Sequence, residues 1–312
     1  MKPNTKIKVV GVGGAGGNAI NRMASCKIQG VELLAFNCDA QDLQKTKAHQ
    51  KLRIGRSLTQ GLGAGMNPEI GRLAAQESRE EINQLLSGAE MVFITAGLGG
   101  GTGSGASSVV AEIAKAQGAL VIAVVTTPFT FEGAYRAQVA KKALEVLSGK
   151  VDTLLIIPND KILLQDNKKI SLLAAFWFCD EVLRQAVQGI TDLILFPGMI
   201  NVDFADIKTI MKDSGPAFFG QGKAKGERRV ETAVNLAVNS PLLDFSISGA
   251  KGILFNVSGG DDLSLNEINE AANIITKNVD AKAKVIFGAV HDKNLQKEEI
   301  KLTVIATGFD KK

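Results

Sequence analysis

GLGGGTGSG, residues 97–105, holds six glycines in nine positions, with Leu98, Thr102 and Ser104 between them. By composition alone it is a flexible linker. Its neighbours decide otherwise. EMVFITA (90–96) ahead of it is a continuously apolar run of strand character, and Val109, Val110, Ile113 and Ala114 behind it recur at helical spacing. A glycine-rich turn between strand and helix lets successive backbone N–H groups aim at one point, and lets a ligand approach with no Cβ in the way. The helix N-terminus that follows adds partial positive charge. These are the parts of a polyphosphate cradle, built from backbone amides and the hydroxyls of Thr102 and Ser104.

Two further glycine turns accompany it, GVGGAGGN (11–18) and GLGAG (61–65). The first follows the apolar run IKVVGV (7–12) and leads into helical spacing through Ala19, Ile20 and Met23. Gly11, Gly13 and Gly16 also satisfy G-x-G-x-x-G, the dinucleotide fingerprint. An NAD-dependent oxidoreductase, with Glu32 or Asp39 on the ribose, is therefore the alternative reading. Against it, a dinucleotide fold gives no reason for the richer turn at 97–105, and no His–acid pair for hydride transfer stands out. No G-x-x-x-x-G-K-[ST] is present, since Gly149-Lys150 is followed by Val151. Phosphates bound here are held without a P-loop lysine. A plain tight turn explains any one of these loops, but poorly explains two long ones at strand ends.

The first half alternates strand and helix. VELLAF (31–36), ALVIAVVTT (119–127) and VDTLLIIP (151–158) read as further strands. Asn67-Pro68-Glu69 is a helix start, with Asn as N-cap, and that helix is expected to run to about Leu86; another covers Ala134 to Leu147. Apolar strands separated by helices indicate a parallel sheet covered on both faces, whose ligands sit at the carboxyl ends of strands. A long helix over 171–195 is apolar on much of its circumference and is expected to be buried, with Trp177 in a core between domains. Beyond it, a helix at 230–238, strands at 252–259, 284–290 and 300–309, and a capping box at Ser264–Glu267 opening a helix to about Lys277 read as a smaller α+β domain. The fold class is α/β: a Rossmann-like parallel-sheet domain (1–170), a central helix and connection (171–200) and an α+β domain (201–312).

The composition excludes several classes. With 312 residues, 45% apolar and 22% charged, the chain is globular and long enough for two domains. It has no run of about 18 uncharged apolar residues and no signal-peptide segment, so neither membrane insertion nor secretion is expected. Three scattered cysteines, Cys26, Cys38 and Cys179, suit a reducing cytosol rather than a disulfide framework or zinc site. Two histidines leave little for a Ser-His-Asp or His–metal centre. The net charge of +4 is modest. Lysines at 141–142, 168–169 and within QGKAKGERR (221–229) read as solvated surface, and with one Trp and one Tyr the chain lacks the interleaved aromatics of a nucleic-acid groove.

GGGTGSG resembles the signature loop of the tubulin/FtsZ family. GVGGAGGNAINRM (11–23), GLGAGMNPEIGR (61–72), PFTFEGAYR (128–136), IPNDK (157–161), AVQGITDLI (186–194), NVDFADIKTIM (201–211) and LTVIATGF (302–309) are similar to the bacterial and archaeal FtsZ branch, in order and over essentially the whole chain. The resemblance implies the tubulin/FtsZ fold, a GTPase activity, and head-to-tail filaments forming the cytokinetic ring in the cytoplasm at midcell. It implies GTP/GDP with Mg²⁺ carried mainly by the phosphates, and K⁺ as a further cation. Expected partners are other copies of the chain, together with division proteins and membrane adaptors.

On this resemblance, Gly13, Gly14, Ala15, Gly16, Gly17 and Asn18 form the first phosphate loop. Gly99, Gly100, Gly101, Thr102, Gly103, Ser104 and Gly105 form the main one. Ala64, Gly65 and Met66 lie in the loop that senses the γ-phosphate. Glu132 and Arg136 match the sugar-and-phosphate pair, although by spacing alone they are an ordinary i,i+4 ion pair. Asn159 joins the base and sugar contacts. Phe176 and Asp180 match the base contacts, and their i,i+4 spacing puts both on one face of the long helix. Guanine offers N1–H and the 2-amino group to a carboxylate, whereas adenine N1 would face it with a lone pair. Without the resemblance, Asp180 reads as a local ion-pair partner.

By residue type, Asp203 is an N-cap, and Phe204, Ile207, Ile210 and Met211 form one helical face. The resemblance adds that Asn201, Asp203 and Asp206 enter the nucleotide pocket of the next subunit, where the two carboxylates orient and polarise the attacking water. Assembly then completes the active site, and a heterologous contact that does not close makes a filament. A GTP-binding scaffold without hydrolysis is the third reading. Family members usually continue past GFDKK into a disordered linker and an adaptor-binding peptide, so adaptor binding through that peptide is not expected here. Cys38 stands where Thr is common, and Trp177, Phe178 and Cys179 are bulkier than usual.

Overall fold

The computed structural model describes residues 5–163, 171–195, 198–239, 247–277, 279–292 and 295–309. Lys168-Lys169 and the residues after Phe309 lie outside this set. The chain divides into two compact units, Met1–Gln188 and Gly189–Lys312.

The first unit is a parallel sheet. Its strands are β1 (Ile7–Val12), β2 (Val31–Asn37), β3 (Gln50–Arg53), β4 (Met91–Gly97), β5 (Leu120–Thr127) and β6 (Thr153–Pro158), in the order β3-β2-β1-β4-β5-β6. All pairings are parallel, and the register brings Val12 level with Phe36 and Ala96. The helices are α1 (Gly13–Ser25), α2 (Ala40–Lys45), α3 (Arg56–Thr59), α4 (Pro68–Glu77), α5 (Arg79–Leu86), α6 (Gly101–Ala116), α7 (Ala134–Ser148) and α8 (Asn159–Leu163), followed by α9 (Leu172–Leu195), whose last turns pass into the second unit. The strands are buried almost without alternation, as a sheet with both faces covered requires. The chain leaves β1 towards β2 but returns on the other side as β4. The β1/β4 boundary is therefore the switch point where ligands of such sheets bind.

Two expectations need correction. The helix from Pro68 breaks at Ser78, which turns to φ −96°, ψ 20°. At this break the Ser78 hydroxyl accepts the Gly55 N–H at 3.1 Å, and the Glu77 carboxylate accepts the N–H groups of Ser57 and Leu58. Nor is α9 buried all round. The buried stripe runs through Ala175, Cys179, Val182, Leu183, Ala186, Val187 and Ile190, at helical spacing. Leu173, Trp177 and Phe178 fall off that stripe and are exposed, as are Leu172 and Phe176 towards the start of the helix; Trp177, at 44%, is not a core residue. The Arg22 guanidinium lies over its ring at 4.2 Å.

The second unit contains α10 (Phe204–Met211), β7 (Gly215–Lys225), α11 (Arg229–Val238), β8 (Gly252–Gly259), α12 (Leu265–Thr276), β9 (Lys284–His291) and β10 (Glu299–Thr307). The sheet order is β7-β10-β8-β9, antiparallel except for β8–β9. Phe218, Phe255, Val234 and Ile275 belong to its core. Much of QGKAKGERR, read as solvated surface, is the end of β7. A Cβ at Gly220 or Gly222 would lie 1.9 or 2.0 Å from the Ala237 or Ala233 carbonyl oxygen, so glycine lets α11 sit directly on the strand. The capping box at Ser264 and Glu267 is formed. Its Glu267 also pairs with the buried Arg229, which holds Asp262 as well.

In the first unit α4 crosses α6 with equally little room. A Cβ on Gly105 would lie 1.9 Å from the Pro68 carbonyl oxygen, and one on Gly71 2.4 Å from the Gly101 oxygen. Gly105→Ala should therefore cost about 1–3 kcal/mol in urea denaturation. Gly100→Ala should leave stability near wild type, because Gly100 has φ −97° and open space around its Cβ position.

Candidate functional site

At the carboxyl ends of β1 and β4 the chain passes almost at once into α1 and α6. The two helix N-termini converge: a Cβ on Gly13, whose φ is +72°, would lie 3.0 Å from the Gly103 amide nitrogen. Both ends expose unpaired backbone N–H groups to the same space, a ready anion site. Above them opens a cavity of about 540 Å³.

Gly13, Gly14, Ala15 and Asn18 line it from α1, and Gly100, Gly101, Thr102 and Gly103 from the loop into α6. Gly65 lines it from the third glycine turn, followed by Glu132 and Arg136, Asn159 at the end of β6, and Phe176 and Asp180 from α9. Seven of the residues expected to contact nucleotide do not line it. Gly16 packs against Gly11 and the Thr95 carbonyl, Gly17 against Thr46, and Gly105 against α4. Gly99 and Ser104 brace the loop from within, the Ser104 hydroxyl accepting the Gly99 N–H at 2.9 Å. Ala64 seats against Gly101, and Met66 takes a left-handed φ of 59° in the turn before α4.

Sequence reasoning missed Asn37 and Asp42, which also line the cavity, and offered Asp39, a third lining residue, only as the ribose acid of the dinucleotide reading. Asn37 donates to Asp42 at 2.8 Å, and Asp39 caps α2 by accepting the Gln41 and Asp42 N–H groups. The signal was available: NCDAQD begins at the carboxyl end of β2, the edge where the glycine loops were found. Cys38 between them is buried, and its thiol bonds to Thr102; burial pushes that thiol up.

At the opposite end of the cavity, Phe129 stacks on Phe131 at 4.9 Å and meets Phe176 edge-on at 5.5 Å. Glu132 accepts the Phe129 N–H at 3.0 Å and pairs with Arg136 at 2.7 Å, holding that turn closed. The buried Oδ1 of Asn159 has no hydrogen-bond partner, an orphan acceptor on a cavity wall. Burial drives the Asp180 carboxyl up to about 7, with the Arg22 charge partly opposing it. Cys179, also lining the cavity, is pushed up to about 12 by burial and by the neighbouring Asp180.

Asn201, Asp203 and Asp206 belong to the second unit, are exposed, and do not line this cavity. Asp203 stands at the N-cap of α10, but only its carbonyl takes part, accepting the Asp206 and Ile207 N–H groups; its carboxylate makes no capping bond. Asn201 Oδ1 accepts the Gly198 N–H at 2.9 Å.

The family model described as the tubulin/FtsZ GTPase domain matches residues 6–166, and that of the FtsZ C-terminal domain matches residues 215–310. An empty FtsZ dimer structure from M. jannaschii is 47% identical, with TM-score 0.93, over 99% of this chain and 89% of that one. A W319Y mutant of FtsZ from the same organism is 48% identical, with TM-score 0.93, over 98% and 91%. CetZ2 from Haloferax volcanii, a GTPγS-bound protofilament, shares the fold at 21% identity and TM-score 0.79, over 96% and 92%. The class is thus the tubulin-like GTPases, with a parallel-sheet nucleotide domain followed by an α+β domain. Within it, this chain belongs to the FtsZ family, and the dinucleotide oxidoreductase reading falls away.

The raised Asp180 pKa fixes a stability trend. The folded, nucleotide-free protein holds this proton up to about pH 7, whereas the unfolded chain releases it near pH 4. Between these values the native state binds more protons, so stability falls as pH rises. Asp180→Asn should come closest to the wild-type melting temperature near pH 4 and exceed it by a margin that grows up to about pH 7 and then levels off, as measured by thermal melts without nucleotide.

Proposed function

We propose that this chain is a self-assembling GTPase of the cell-division filament, whose active site is completed by a second copy. The observation that carries this reading is the single cavity of the first unit that gathers the phosphate-binding turns and the face of α9 bearing Phe176 and Asp180. The acid pair expected to act on water belongs to the second unit, where it is exposed.

In this reading the N-termini of α1 and α6, with the Thr102 hydroxyl, hold the β- and γ-phosphates through fixed N–H donors. Ionised Asp180 accepts guanine N1–H and the 2-amino group, Phe176 packs on the ring, and the unpartnered Asn159 oxygen receives a base or sugar donor. Glu132 and Arg136 serve the sugar and phosphates, and Gly65 senses the γ-phosphate. Among the described residues no group of three or more metal-ligating side chains forms a preformed cage. A Mg²⁺ brought with the nucleotide would neutralise phosphate charge, and Asp39 and Asp42 are carboxylates of this chain lining the same cavity. K⁺ rests on the family resemblance. Asp203 and Asp206 of a neighbouring copy orient and polarise the water, with Asn201 beside them. Phosphoryl transfer asks for such positioning more than for covalent chemistry. Self-association also agrees with the FtsZ dimer and CetZ2 protofilament among similar structures. Among the described residues no helix is long and apolar enough to cross a membrane, and the reading places the protein in the cytoplasm at the division site.

GTP turnover per molecule should rise steeply above a threshold protein concentration; flat specific activity down to nanomolar protein would contradict the shared site. Asp206→Ala should bind GDP as wild type does yet lose turnover by about 10²-fold or more at saturating protein. Loss of binding and turnover together would make Asp206 structural. Calorimetry should show GDP affinity falling about tenfold per pH unit well below pH 7, as Asp180 takes up its proton.

A further inference from the structure

Arg22 lies outside the cavity, yet it joins the two helices that form the cavity's ends. It stands on α1 one turn beyond Asn18, which itself follows Gly14 by one turn; Gly14 and Asn18 both line the cavity. The same face of α1 therefore continues from the phosphate end to Arg22. There the Arg22 Nε–H donates to Glu181 at 2.7 Å, and its guanidinium lies over the Trp177 ring at 4.2 Å. Trp177 and Glu181 are an i,i+4 pair on α9. Each follows by one residue a member of the Phe176–Asp180 pair that lines the cavity.

The grip is specific in geometry. A guanidinium offers its flat face to the indole and its edge to the carboxylate, and an ammonium has no such face. Glu181 is itself fixed, since Arg184 donates to both its oxygens and Gln185 donates to one. The side chains of Arg22, Glu181 and Arg184 are largely buried, so the pairing is not a loose surface contact. A helix turning about its axis carries neighbouring residues together, about 100° apart. Fixing Trp177 and Glu181 therefore fixes where Phe176 and Asp180 point.

We propose that Arg22, clasped between the Trp177 ring and the Glu181 carboxylate, is a positioning residue that sets the rotation of α9 and so selects guanine. This rests on Asp180 as the base contact, and the test separates the two. GDP and IDP differ by the 2-amino group, one of the two donors for that carboxylate. Wild-type protein should prefer GDP by about tenfold, the worth of one charge-assisted hydrogen bond. Arg22→Ala should weaken GDP binding about tenfold and bring the GDP/IDP ratio close to one, leaving IDP affinity much less changed. Arg22→Lys should restore the ratio only in part. Equal losses for both nucleotides, or an unchanged ratio, would overturn the proposal. Should Arg22→Ala fail to fold by circular dichroism, Trp177→Ala and Trp177→Phe carry the test. The ratio should collapse in the first and return in the second; identical ratios in the two would overturn it. A wild type that does not prefer GDP to IDP removes Asp180 as the base contact and the proposal with it, whereas failure confined to the variants removes the proposal alone.

Discussion

The close approach of α1 to α6 is the constraint on which the nucleotide domain depends. Two helices start side by side at the switch point of a parallel sheet, and their first turns nearly touch at Gly13 and Gly103. Like ends of two helix dipoles repel, and neither end has backbone partners of its own. A polyanion relieves both at once. The arrangement is tolerable because the strands beneath are rigid and buried, and it is useful because the ligand supplies the missing negative charge.

The base end follows a different physical rule. In the proposed function, phosphates are met by backbone atoms, so the sequence there needs little beyond glycine. The base is then met by side chains on α9, and those depend on how the helix is turned. Its buried stripe gives one reference, and the Arg22 clasp on the opposite helix gives a second. Asp180 then sits where burial holds its proton close to neutral pH, poised to ionise when a donor pair arrives. The Oδ1 of Asn159, buried on the wall of the same cavity, has no hydrogen-bond partner.

Much of this was legible in the sequence, for reasons that can be named. Strand β1 matched its apolar run residue for residue, because buried parallel strands are marked by continuous hydrophobicity. Asn67-Pro68-Glu69 and Ser264–Glu267 marked helix starts, because capping is local chemistry. The break at Ser78 was not legible: its hydroxyl answers to Gly55, 23 residues away. Strand β7 was hidden because its glycines serve α11, not the strand. Trp177 misled because hydrophobicity does not say which side of a helix is covered, nor that an arginine can do the covering. Asn37 and Asp42 carry no glycine signature, and only their place at the end of β2 connects them to the cavity. Glycine-rich spelling also overstated the lining. Gly16, Gly17 and Gly105 are there for the packing behind it.

That last group has an evolutionary consequence. The turn carrying Gly65 leads directly into α4, and α4 rests on α6 with no space for a methyl group at Gly71 or Gly105. A larger residue at either position would push α4 outward and carry the turn with it. Selection on ligand affinity is therefore felt at positions that no ligand reaches. The back wall and the loop can change only together, so drift at one closes most of the mutational routes open to the other.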